Sequence, residues 1–223
     1  MNLLADLLNL LSPRFCPMCG QPLTPSDQLV CTGCLVLLPY TRWTDHVINP
    51  ASQLLLAHLP LAKATSYLFY RDAVHQLVHQ LKYGHRPDIG YHMGRFMALE
   101  LQPTGFFQGI EGIVPVPLHR WRHWQRGYNQ SSQLARGIAS VTRIPVLKRV
   151  VKRLRNNPSQ TALDANERQE NVANLFLARP TPYRHVLLID DVLTTGSTLC
   201  ACGKAILRSN PTMQFSILTL AKA

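Results

Sequence analysis

Residues 186–198 read Val186-Leu-Leu-Ile-Asp190-Asp191-Val-Leu-Thr194-Thr195-Gly196-Ser197-Thr198: an apolar run, two consecutive acids, and a Thr-Thr-Gly-Ser-Thr turn. Continuous rather than alternating apolar residues predict a strand covered on both faces, the habit of parallel sheets flanked by helices. The acids and the turn then fall at the carboxyl edge of the sheet, where open α/β sheets bind ligands. Residues 197–209 have helical periodicity, so the turn delivers free amides and the positive end of a helix dipole to that edge. Gly196 lets the backbone approach closely, and Ser197 and Thr198 add hydroxyl donors. This half of the site suits a phosphate monoester. Carboxylates repel phosphate, so Asp190 and Asp191 seek vicinal hydroxyls or a hydrated cation. A ribose 5-phosphate satisfies both halves. An ordinary βα turn with an N-cap needs one such polar residue and would leave the others to be satisfied elsewhere.

Working outward, strands and helices alternate from residue 112. A short apolar run covers 113–117, a helix 128–141, a β-branched run 146–151, a strand 173–178, and a closing strand 215–220. Upstream, 70–84 and 90–101 are helical, with Val74, Leu77, Val78 and Leu81 forming the buried face of the first. The polar stretch 156–171 lies between two strands, and long connections of that kind are lids or binding loops. The expected architecture is an α/β parallel sheet flanked by helices. Its expected organisation is an N-terminal segment 1–40, a connector and helical hood 41–110, and the sheet domain 111–223.

The chain has 223 residues and a formal net charge of +11, with 46% hydrophobic residues. These values exclude a disordered or fibrous protein. The charge is uneven: residues 112–163 hold no Asp or Glu but carry Arg120, Arg122, Arg126, Arg136, Arg143, Lys148, Arg149, Lys152, Arg153 and Arg155. Such a field attracts phosphate-rich small molecules, nucleic acid or acidic headgroups without choosing among them. The opening MNLLADLLNLLSP lacks a basic n-region, carries Asp6 and is stopped by Pro13. It predicts a short amphipathic helix docked on the body rather than an export signal, and no segment approaches a membrane span, so a cytoplasmic protein is expected.

Cys16-Pro-Met-Cys19 and Cys31-Thr-Gly-Cys34 form two C-x-x-C pairs in a segment too short for a core of its own. In a reducing compartment the staple for such a segment is a metal, and structural Zn2+ held by four thiolates is the default. Cys200 and Cys202, two apart in a helix, read as small core residues. His75, His79 and Lys82 share a helical stripe turned away from the apolar face, which is a solvated or phosphate-facing arrangement more often than a metal site. Trp121, Trp124 and Tyr128 interleave with Arg120, Arg122 and Arg126, a mixture found both in loops around diphosphate and where rings stack on unpaired bases.

Residues 186–198 resemble the phosphoribosyl pyrophosphate (PRPP) signature of type I phosphoribosyltransferases. With Val114-Pro-Val-Pro-Leu-His119, Arg126-Gly-Tyr-Asn-Gln130, Lys82-Tyr83-Gly84 and the cysteine pairs, nearly the whole chain resembles the ComF/GntX family. That family joins a zinc-binding N-terminus to a phosphoribosyltransferase-like domain and is associated with competence and the use of external DNA. The resemblance implies that Asp190 and Asp191 hold ribose hydroxyls and that Thr194, Thr195, Gly196, Ser197 and Thr198 cradle the 5-phosphate. It further implies that Lys82, Arg120, Arg122 and Arg126 face the pyrophosphate end with Mg2+, and that 156–171 closes as a lid. Three functions stay open at this point: phosphoribosyl transfer to an acceptor, PRPP sensing without chemistry, and binding of single-stranded DNA by the basic, aromatic stripe.

Overall fold

The computed structural model describes residues 13–43, 48–154 and 175–223. In chain order its elements are α1 (Thr32–Val36), α2 (Pro50–Leu56), β1 (Leu61–Phe69), α3 (Asp72–Tyr83), α4 (Pro87–Leu101), β2 (Gly112–Pro115), α5 (Arg120–Arg126), α6 (Gln130–Thr142), β3 (Val151–Arg153), β4 (Phe176–Ala178), β5 (His185–Leu193), α7 (Ser197–Ser209) and β6 (Gln214–Lys222). The amphipathic helix expected before Pro13 and the polar stretch 156–171 lie outside the described residues.

Four strands make one all-parallel sheet in the order β1-β6-β5-β2. The apolar run of β5 sits between two neighbours, and Val186, Leu187, Leu188 and Ile189 are all fully buried. The two faces of the sheet carry separate cores. Leu187 and Ile189 pack with α3, α4 and α6, while Val186 and Leu188 pack with α2, α7 and the β3–β4 ribbon.

The edge strand β1 arises from residues that the sequence reading left to the connector and hood. Its LAKATSYLF string mixes Lys63, Thr65 and Ser66 with apolar residues, so no clean period shows. Tertiary pairing supplies what the pattern lacks: Ser66 Oγ meets Thr219 Oγ1 at 2.7 Å inside the protein. The expected strand 146–151 is also redistributed. Val146 makes a single parallel bridge to Ile113, and β3 begins only at Val151, paired antiparallel to β4.

The cysteine segment shares a core with the sheet domain. Met18, Leu23, Leu29 and Val30 belong to the cluster that holds Val74, Leu77, Val78 and Met93. Two sets of hydrogen bonds fasten it further. Residues 39–41 lie along β1, with Phe69 N donating to Pro39 O (2.8 Å) and Thr41 N to Tyr67 O (3.1 Å). On α3, Gln80 Nε2 donates to Pro17 O at 3.0 Å.

Helices α4 and α6 meet through glycine. A Cβ on Gly94 would stand 2.2 Å from Leu134 O, and one on Gly137 would stand 2.0 Å from Tyr91 O. The bare backbones therefore touch at both positions.

Candidate functional site

Asp190 and Asp191 occupy the carboxyl-terminal part of β5, which runs on to Leu193 rather than ending at the acids. Adjacent residues on a strand point to opposite faces, yet here both carboxylates are drawn into local bonds. Asp190 Oδ1 accepts from Ser131 Oγ and from the Asp191 amide, each at 2.9 Å, and Asp191 Oδ1 accepts from Val192 N at 2.7 Å. Lys82 Nζ reaches Asp191 Oδ2 at 3.2 Å, which brings α3 to the sheet edge. Ser131, at the start of α6, was not legible as a site residue, because its role depends on how that helix docks.

The acids form one wall of a cleft of about 320 Å³, faced by Lys82, Arg122, Arg126 and Arg153 and floored in part by Thr194 and Thr198. Arg126 is nearly buried at 8% exposure. Its guanidinium stacks over the Tyr83 ring at 5.1 Å, donates to Gln130 Oε1 at 3.1 Å, and leaves Nε without a hydrogen-bond partner among the described residues. A guanidinium fixed by stacking with donor capacity in hand is suited to a phosphoryl oxygen. Arg153 is a site residue that sequence reasoning missed. It belongs to the β3–β4 ribbon, whose register cannot be seen in the string. Arg120, by contrast, begins α5 in an exposed position and does not line the cleft.

Beside the cleft a recess is bounded by Thr194, Gly196, Ser197 and Thr198. Gly196 is the N-cap of α7 with φ of 76°, a conformation L residues rarely adopt, and a Cβ there would stand 2.8 Å from Leu55 Cδ2. Gly196 has no side chain with which to cap α7, and the Ser197 amide donates instead to Thr195 Oγ1 at 3.4 Å. Thr195 turns away from it, donating from Oγ1 to Ser197 Oγ at 3.1 Å.

Burial, and after it the charge of Asp191, pushes the Asp190 carboxyl up to about 7 against the pull of the Asp191 amide, Ser131 and Lys82. An acid whose folded value exceeds its unfolded value near 4 makes the folded chain hold the extra proton, so stability drains as pH climbs from about 4 to about 7. Asp190→Asn removes that penalty. Its urea midpoint, compared with the parent protein, is expected to gain progressively from pH 4 to pH 8; a gain independent of pH would contradict the assignment.

The cysteine quartet comes together as expected. The sulfurs of Cys16, Cys19, Cys31 and Cys34 all lie within 4.8 Å of one another, and Cys19 Sγ stands 3.7 Å from Cys31 Sγ. A tetrahedral ion with metal–sulfur bonds of about 2.3 Å sets sulfurs about 3.8 Å apart, so the donor set fits one metal ion. Burial raises the Cys16 thiol, but the backbone amides of Cys31, Cys19 and Met18 outweigh it and bring it to about 7. Cys34 is pushed up by burial and by its neighbouring sulfurs. A cation among them would favour the thiolate throughout. Cys200 and Cys202 are both buried in the core beneath α7. His75 and His79 are exposed on α3, packed against Tyr70 and Tyr83 at 5.3 and 5.0 Å, and join no metal-ligating cluster among the described residues.

Fold and site together define an α/β protein with a parallel sheet, an anion-suited carboxyl edge and an appended four-cysteine cluster. Sequence comparison refines this. No family model matches the chain. It is 32% identical over 198 residues to DNA utilization protein YhgH of Escherichia coli (strain K12), a match that spans 87% of this chain and 78% of the relative. It is 40% identical over 117 residues to Competence protein F of Haemophilus influenzae, covering 51% of each. It is 25% identical over 221 residues to Competence protein ComFC of Bacillus subtilis (strain 168), covering 97% of this chain and 81% of that one. The chain belongs to the ComF family. Among the described residues no helix is long and apolar enough to cross a membrane.

Proposed function

We propose that this protein binds phosphoribosyl pyrophosphate in the cleft at the carboxyl edge of β5 and serves in DNA utilization and competence, the roles that the names of its relatives state for them. The observation that carries the reading is the convergence of paired acids and four cations on one cleft of about 320 Å³, with the N-terminus of α7 at the recess beside it. In this reading Asp190 and Asp191 accept from the ribose hydroxyls, and the turn 194–198 donates to the 5-phosphate. Arg122, Arg126 and Arg153 take the diphosphate. Lys82 must leave Asp191 when the sugar arrives, exchanging one partner for another. Mg2+ bound with the ligand would offset the negative charge of the diphosphate. The four cysteines would hold structural Zn2+.

Such a cleft can also transfer the phosphoribosyl group: charge developing on the departing diphosphate meets fixed guanidinium donors while the ring stays positioned by the acids. Titration calorimetry with phosphoribosyl pyrophosphate and Mg2+ tests the binding without assuming the transfer. The parent protein is expected to bind, and Asp190→Asn/Asp191→Asn to lose about 100-fold or more in affinity, since two charge-assisted acceptors are removed. Equal affinity in both would remove the basis of the reading. Pyrophosphate release with candidate acceptors then separates a transferase from a sensor.

A second surface supports contact with single-stranded DNA. On α5, Trp121 is 56% exposed and Trp124 83% exposed, beside Arg120 and Arg122. Bare indoles amid guanidinium groups are suited to stacking on unpaired bases.

A further inference from the structure

A second cavity of about 510 Å³ opens between the cysteine segment and the C-terminal end of α4, and it shares no lining residue with the acid cleft. Its floor is β1, one wall comes from α1 and the segment 40–42, and the other from α4. The volume is that of a small-molecule site.

Tyr67 on the floor is only 6% exposed, and its hydroxyl is buried with no hydrogen-bond partner among the described residues. A buried phenol in that condition is costly, and natural proteins leave few of them. Its polar neighbours are the Tyr40 hydroxyl and the Glu100 carboxylate. The Tyr40 ring packs edge-on at 5.3 Å, but its own hydroxyl donates to Leu35 O at 3.4 Å. Burial, then Tyr40 and the exposed Glu100 carboxylate beside it, raise the Tyr67 phenol, and burial followed by Glu100 raises that of Tyr40. The cavity therefore presents a carboxylate, a phenolic oxygen and two aromatic rings, with Leu35 and Val36 as an apolar flank. Arg42 also lines it, exposed, and makes no ion pair among the described residues.

A primary ammonium offers three donors and no acceptor, which matches a carboxylate beside a phenolic oxygen. Aromatic rings favour the same cation, and the leucine and valine suit a flat apolar body attached to it. We propose that this cavity is a binding site for a small primary amine with an aromatic or apolar body, held by Glu100 and Tyr67.

The test uses tryptamine and indole-3-acetate, which share a ring and carry opposite charges, against the full chain by titration calorimetry. Tryptamine is expected to bind and indole-3-acetate not. Glu100→Gln should weaken tryptamine about tenfold, as expected for loss of a charge-assisted bond, and Tyr67→Phe should weaken it severalfold. Thermal unfolding of both variants, together with unchanged phosphoribosyl pyrophosphate binding, separates a lost site from a lost fold. The proposal is overturned if tryptamine does not bind at millimolar concentration, if indole-3-acetate binds equally well, or if a folded Glu100→Gln protein binds tryptamine as the parent does.

Discussion

Cys31→Ser is expected to unfold the cysteine segment and to lower the stability of the whole molecule by several kcal/mol. A structural zinc site contributes on the order of 10 kcal/mol of apparent binding free energy, and that energy is folding energy when the site does not exist in the unfolded chain. One thiolate in four is a large share of it. The effect cannot stay local, because Met18, Leu23, Leu29 and Val30 lie in the same core as Val74, Leu77 and Val78 of α3. The Gln80–Pro17 hydrogen bond ties the same two elements together two residues before Lys82. Loosening the cysteines should therefore displace α3 and with it Tyr83, on which the Arg126 guanidinium stacks, and weaken ligand binding in the cleft. A chelator should reproduce both losses in the parent protein. Urea unfolding followed by tryptophan fluorescence reads the first, since Trp43 packs edge-on to Phe69 of β1 at 5.4 Å. An unfolding midpoint indifferent to chelation would mean that the sulfurs hold nothing.

Gly137→Ala is expected to cost about 3 kcal/mol or more, at the upper end of what overpacking does. The added methyl would sit 2.0 Å from Tyr91 O and 2.9 Å from Arg95 N, both backbone atoms of α4 that no rotamer change can move. The helices must separate. Helix α6 carries Ser131, whose hydroxyl holds Asp190, and Asn129 at its N-cap donates to Val116 O at 2.9 Å. A displaced α6 should thus raise the dissociation constant for phosphoribosyl pyrophosphate as well as lower the urea midpoint. Gly20, where a Cβ would meet nothing within 4 Å, is the contrasting position. Its φ of 74° carries only the local strain of a left-handed residue. A Gly137→Ala protein as stable as its parent would show that the two helices have slack.

The sheet centre and the polar turn after it were legible because a single short string encodes both. Four apolar residues without alternation, too few for a helix of their own and closed by polar residues, fit a doubly covered strand, and the polar cluster after them has too many groups for a cap. Helix α3 was equally plain, since Val74, Leu77, Val78 and Leu81 fall on one stripe and are all buried. The short helix α5 escaped notice because Arg120–Arg126 has no apolar stripe and its tryptophans point to solvent. β1 escaped because its hydroxyl residues are buried by pairing with β6, a partner some 150 residues away. Among the residues lining the cleft, those carried by local sequence could be named from the string, and those delivered by tertiary docking could not. Ser131 arrives on α6, Arg153 on a two-stranded ribbon, and Tyr70, which also lines the cleft, through the hydrogen bond its backbone N–H donates to Lys222 O at 2.7 Å. Only the three-dimensional arrangement assembles them.

Strand β6 lies between β1 and β5, so the last strand in sequence is an interior strand in space. During synthesis the halves of the sheet accordingly wait for one another. Residues 61–69 have no lateral neighbour along that edge until residues 214–222 leave the ribosome, and the nascent chain must be shielded from aggregation over that interval. A frameshift that spares the acids, the turn and all of α7 but removes β6 would still abolish folding.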